Sequence, residues 1–83
     1  MLSPIEVKKM IEQIIPCEYV AVEGDGQHFF AQIISKKFEG LNRLNRHKII
    51  KNALKNKFGN NELHALSINL ALTPNEYNAK KYL

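Results

Sequence analysis

Two alternating runs joined by Gly24-Asp25-Gly26 constrain this chain more than any other feature. From Cys17 to Glu23, Val20 and Val22 fall on one face of an extended strand and Tyr19 and Ala21 on the other. From about His28 to Ser35, Phe29, Ala31 and Ile33 share one face, and Phe30, Gln32 and Ile34 share the opposite one. The Gly24-Asp25-Gly26 link supplies the positive-φ chemistry of a tight turn. The two runs are therefore expected to form a hairpin.

Helical signals flank it. Ser3-Pro4-Ile5-Glu6 reads as a capping box with proline at the first helical position. Ile5, Val7, Met10, Ile11, Ile14 and Ile15 then recur on one helical face until Pro16 stops the helix. After a connector at Phe38-Glu39-Gly40, Asn42 caps a second helix running to about Lys57, with Leu44, Ile50, Ala53 and Leu54 as its buried stripe. Gly59-Asn60-Asn61 terminates it. Leu63 to Leu70 reads as a third strand with His64, Leu66, Ile68 and Leu70 on one face, and Thr73-Pro74-Asn75-Glu76 opens a final helix. The order is αββαβα. A helix between strands two and three permits parallel pairing, so the expected fold is α+β: a three-stranded mixed sheet with helices on one face.

At 83 residues the chain is expected to be one domain, 1–83, that buries only about 60–65% of its unfolded surface and leaves shallow clefts. A single cysteine excludes an internal disulfide framework and suits a reducing cytoplasm. Glu6 and Glu12 argue against a secretory leader, and no apolar run is long enough to cross a bilayer. Six of the 12 bases and none of the 8 acids lie between Glu39 and Glu62, so the rest of the chain is net acidic. Such a block fits either a nucleic-acid or acidic partner or a solvated helix face.

No nucleophile elbow, phosphate-cradling loop or paired carboxylate is present, and Cys17 has no basic neighbour to activate it, so the chain is not expected to be an enzyme. The histidines say more. His28 follows the hairpin turn, His64 opens the third strand, and His47 lies in the second helix. Each also has a structural reading, as a turn-flanking, strand-face or helix-boundary residue. Two or three imidazoles and one distant cysteine do not complete a four-ligand site, so any metal here would be shared with a partner. In the second helix, Gly40, Arg43, Arg46, Lys48 and Lys51 could instead meet phosphates.

Taken together, Gly24-Asp25-Gly26-Gln27-His28-Phe29, Phe38-Glu39-Gly40 with Arg46-His47, Leu63-His64-Ala65-Leu66-Ser67 and Leu72-Thr73-Pro74-Asn75-Glu76 resemble the BolA family, in particular its short bacterial IbaG-like branch. The resemblance runs over nearly the whole chain. It implies an αββαβα fold like a class II KH domain. It also implies a partner of a monothiol glutaredoxin in iron–sulfur trafficking or in iron and stress regulation. In that role a bridging [2Fe-2S] cluster is ligated by His64 and His28, with the remaining ligands from the glutaredoxin cysteine and glutathione. The isolated chain, a monomer or weak homodimer, is then expected to hold no cofactor. The family's other tradition is DNA-binding transcription regulation, which would use Gly40, Arg43, Arg46, Lys48 and Lys51. The sequence departs from the family pattern at Gly40-Leu41-Asn42-Arg43, which lacks the second glycine of a KH loop. It also has Tyr77 where relatives often carry Trp, and Lys48 where many carry Arg.

Overall fold

In the computed structural model, which describes residues 2–57 and 64–81, the first helix (α1) spans Pro4–Ile14. Its capping box is complete: the Ser3 hydroxyl accepts from the Glu6 amide, and the Glu6 carboxylate accepts from the Ser3 amide. Val7 and Ile11 are fully buried. Ile5, expected on the apolar face, is 66% exposed because, two residues before the fully buried Val7, it points to the opposite side of the helix.

The hairpin consists of β1 (Tyr19–Gly24) and β2 (Phe29–Ile34), antiparallel, with Tyr19 opposite Ile34 and Gly24 opposite Phe29. Val20, Phe29, Ala31 and Ile33 face the core. β1 begins two residues later than expected. Ahead of it, the Pro16 carbonyl accepts from Ser35 Oγ at 2.6 Å and the Ile15 carbonyl from Cys17 Sγ at 3.2 Å. A short 3-10 turn, Lys36–Phe38, buries Phe38 completely, and Gly40 at φ +79° redirects the chain into α2.

α2 spans Arg43–Leu54, three residues shorter than expected. Beyond it, the Lys55 and Lys57 amides bond three residues back, to Asn52 and Leu54, tightening the chain out of the helix. Its buried stripe is Arg46, Ile50 and Leu54. Leu44 is 62% exposed and Ala53 is exposed, so Ile50 and Leu54 alone of the expected stripe are buried, and Arg46 takes the position one turn before Ile50. The expected terminator at Gly59-Asn60-Asn61 and the start of the third strand at Leu63 lie outside the described residues.

β3 spans Leu66–Leu72 and pairs in parallel with β2, giving the sheet order β1-β2-β3. His64 precedes this strand rather than sharing its face. Register slips between Ala31 opposite Ile68 and Gln32 opposite Leu70, leaving Asn69 out of the pairing. The slip reverses the alternation: Leu70 turns outward and Ala71, 7% exposed, turns into the core. The last helix, α3, spans Pro74–Lys81 and starts with a second capping box between Thr73 and Glu76. α1 and α2 cover the core face. Tyr77 of α3 reaches Tyr19, Gln32, Ile34 and Leu70 around a cavity of about 230 Å³ on the opposite face.

Candidate functional site

Parallel pairing of β2 with β3 puts the beginnings of both strands at one end of the sheet. Phe29 stands opposite Leu66, and the Phe29 amide donates to the Ala65 carbonyl at 2.9 Å. His28 is the residue before Phe29, and His64 the residue before Ala65. The fold thus brings two histidines that are 36 positions apart in sequence to the same end of the sheet, and both are exposed.

The turn beside them is braced by Asp25. Its Oδ1 accepts from the Gln27 amide at 2.9 Å and the His28 amide at 2.8 Å, while its own amide donates to the His28 carbonyl at 3.2 Å. Those amide bonds, from His28 and then Gln27, hold the Asp25 carboxyl below its ordinary range. Its Oδ2 lies 4.0 Å from His28 Nδ1. Gly24 is required by close packing: a Cβ there would sit 2.9 Å from the Phe29 ring and would collide with the His28 carbonyl.

Cys17 belongs to the other end of the sheet, ahead of the Tyr19–Ile34 pair. Burial, then Glu18 and Glu12, push its thiol up to about 11. Among the described residues, no group of three or more His, Cys, Asp or Glu side chains could hold a metal. What the end with His28 and His64 offers is two accessible imidazoles and an incomplete coordination set.

The basic residues of α2 are divided in their roles. Arg46, expected to meet phosphate, is only 8% exposed. Its guanidinium donates to the Leu41 carbonyl at 2.8 Å, to the Ala71 carbonyl at 3.0 Å, and to both Glu76 oxygens at 2.6 and 3.2 Å, and it lies 5.7 Å from the Phe38 ring centre. A guanidinium engaged on this many sides is a structural bolt between α2, β3 and α3. Lys51 Nζ donates to the Leu66 carbonyl, and burial lowers its pKa. Gly40 serves the turn before α2. Arg43 and Lys48 are exposed. The five residues of the DNA-binding reading therefore retain two exposed cations, Arg43 and Lys48. His47 is half-buried; burial first, then Arg43 and Lys51, hold its pKa below the usual imidazole value.

Sequence reasoning missed the Arg46–Glu76 pair because it sorted α2 by apolar residues. The signal was present: Arg46 sits four and eight positions before Ile50 and Leu54, on their helical stripe.

Residues 5–76 match the family described as BolA-like protein. A BolA-like protein of Dictyostelium discoideum is 34% identical over 76 residues, covering 92% of this chain and 63% of that protein, so this chain spans less than two thirds of that relative. The acid stress protein IbaG of Escherichia coli K12 is 29% identical over 72 residues, covering 87% of this chain and 84% of IbaG. Among solved structures, a bolA protein homologue from Coxiella burnetii superposes with a TM-score of 0.81 at 37% identity, covering 94% of this chain and 99% of that one.

Proposed function

This chain belongs to the BolA-like family, and from that premise we propose that it is a non-enzymatic partner of a monothiol glutaredoxin, supplying His64 and His28 to a bridging [2Fe-2S] cluster. The observation that carries the reading is the pair of exposed imidazoles at the start of two adjacent parallel strands, with no third ligand beside them among the described residues. The donor chemistry fits: imidazole is a known ligand at iron–sulfur centres, and the glutaredoxin cysteine and glutathione thiol would complete the set. When bound, the cluster supplies a transferable iron–sulfur unit whose potential is raised by nitrogen ligation.

The chain's own part is positioning. Asp25 fixes the turn through the His28 amide, Gly24 lets the hairpin close tightly enough to hold His28 at the end of the sheet, and the Phe29–Ala65 hydrogen bond ties the two histidine-bearing segments together. The cellular setting proposed is iron–sulfur trafficking or iron and stress regulation; the name of the E. coli relative, an acid stress protein, supports the latter.

Visible circular dichroism tests the reading. Titrating this chain into cluster-loaded monothiol glutaredoxin should change the cluster bands to a 1:1 end point. His64→Ala should abolish the change and His28→Ala should weaken it. An unchanged spectrum with the native chain, or the same change with His64→Ala, would overturn the assignment.

A further inference from the structure

A second site lies away from His28 and His64 and does not depend on their role. On α2, Arg43, His47 and Lys51 succeed one another every four residues and form one stripe. That stripe runs beside β3, with Lys51 over Leu66 at one end and Arg46, on the adjoining buried stripe, over Ala71 near the other. Between α2, β3 and α3 opens a polar cleft of about 280 Å³. Arg43, His47 and Lys80 line it together with Asn69, the residue that the register slip leaves unpaired with β2.

Among the described residues, no carboxylate lines this cleft. β3 carries no titratable side chain, and Glu76 of α3 already holds Arg46. Two cations and a half-buried imidazole on two different helices thus converge on one cavity, with no acidic side chain among the described residues lining it. Such an arrangement costs free energy while empty and returns it when an anion enters.

Two kinds of anionic occupant are conceivable, an acidic strand added to the edge of β3 or a compact anion. The edge decides between them. Its outward carbonyls at Leu66 and Ala71 are already occupied by Lys51 and Arg46, so an incoming strand would lose the main-chain acceptors that strand addition requires. We propose that the cleft between α2, β3 and α3 is a binding site for the phosphate group of a small phosphorylated molecule, held by Arg43, His47 and Lys80. Guanidinium supplies a forked donor, imidazole a directional one and ammonium a point charge, a combination suited to a tetrahedral oxyanion.

The test is an NMR titration of the isotope-labelled full chain at constant ionic strength, with inorganic phosphate, adenosine monophosphate, a duplex DNA oligonucleotide and a glutamate-rich peptide as separate probes. Phosphate or adenosine monophosphate should produce saturable shifts at Arg43, His47 and Lys80. They should also raise the His47 pKa by about one pH unit. Arg43→Ala and Lys80→Ala, both at exposed positions, should each weaken binding about tenfold while leaving the spectrum of the core unchanged. Arg43→Lys should recover part of the loss. No response to either small phosphate, a response matched by chloride, or saturation by the duplex or the peptide alone would overturn the proposal.

Discussion

Replacing Glu76 by glutamine removes the charge that bolts α3 to the rest of the domain. Arg46 first, together with the Thr73 amide, lowers the Glu76 carboxyl from 4.5 to about 2. At about 1.4 kcal/mol per pH unit, that displacement sets a ceiling of about 3 kcal/mol on the coupling. The Glu76 side chain is 46% exposed while that of Arg46 is 10% exposed, so solvent screening reduces the expected contribution to about 1–2 kcal/mol. Glutamine keeps one oxygen to accept from the Thr73 amide and Arg46, and removes the charge together with the second acceptor for the guanidinium. The pKa is depressed on folding. Its stabilisation is therefore complete above about pH 4.5 and disappears as pH falls through about 2. Urea unfolding should show Glu76→Gln about 1–2 kcal/mol less stable at pH 7, with the gap closing between pH 4.5 and 2. Asp25 titrates in the same acid range in both proteins and cancels in the difference. A gap below about 0.5 kcal/mol at pH 7, or one that stays constant into acid, would refute the bolt.

Two other perturbations test neighbouring parts of the account. Gly24→Ala should cost about 2–3 kcal/mol in the same unfolding assay and shift the His28 and Phe29 amide resonances, because the added carbon meets main-chain and ring atoms that cannot swing aside; near-native stability would show that the hairpin can relax. Cys17 should react with iodoacetamide about tenfold more slowly than a free thiol at pH 7.5, since raising the thiol from 9.0 to about 11 cuts the thiolate fraction about 100-fold and the more basic thiolate recovers part of that loss; a rate equal to that of free cysteine would contradict its placement.

The hairpin and the helix caps were legible because they rest on local chemistry. Ser3 and Thr73 cap as their sequences indicate, and Gly24-Asp25-Gly26 turns the chain between strands whose alternation survives intact. Local rules failed where a distant element decided the outcome. Ile5 and Leu44 are apolar yet lie off the buried faces of their helices, each two residues before a buried position, whereas Arg46 fills a core position because Glu76 and two carbonyls satisfy its guanidinium. The third strand was misread after Ile68 because the pairing skips Asn69, and a bulge leaves no mark in an alternating sequence. His28 and His64 were visible as single residues. Their proximity followed only from the parallel pairing of β2 and β3, which the helix between those strands made available.

Pulsed electron paramagnetic resonance on the reduced cluster shared with a monothiol glutaredoxin addresses histidine ligation most directly. With this chain labelled at histidine with ¹⁵N and the glutaredoxin unlabelled, the spectrum should carry strong ¹⁵N couplings, and these should vanish when His64 is replaced by alanine. A cluster spectrum with no ¹⁵N coupling from this chain, or with couplings untouched by His64→Ala, would contradict the account.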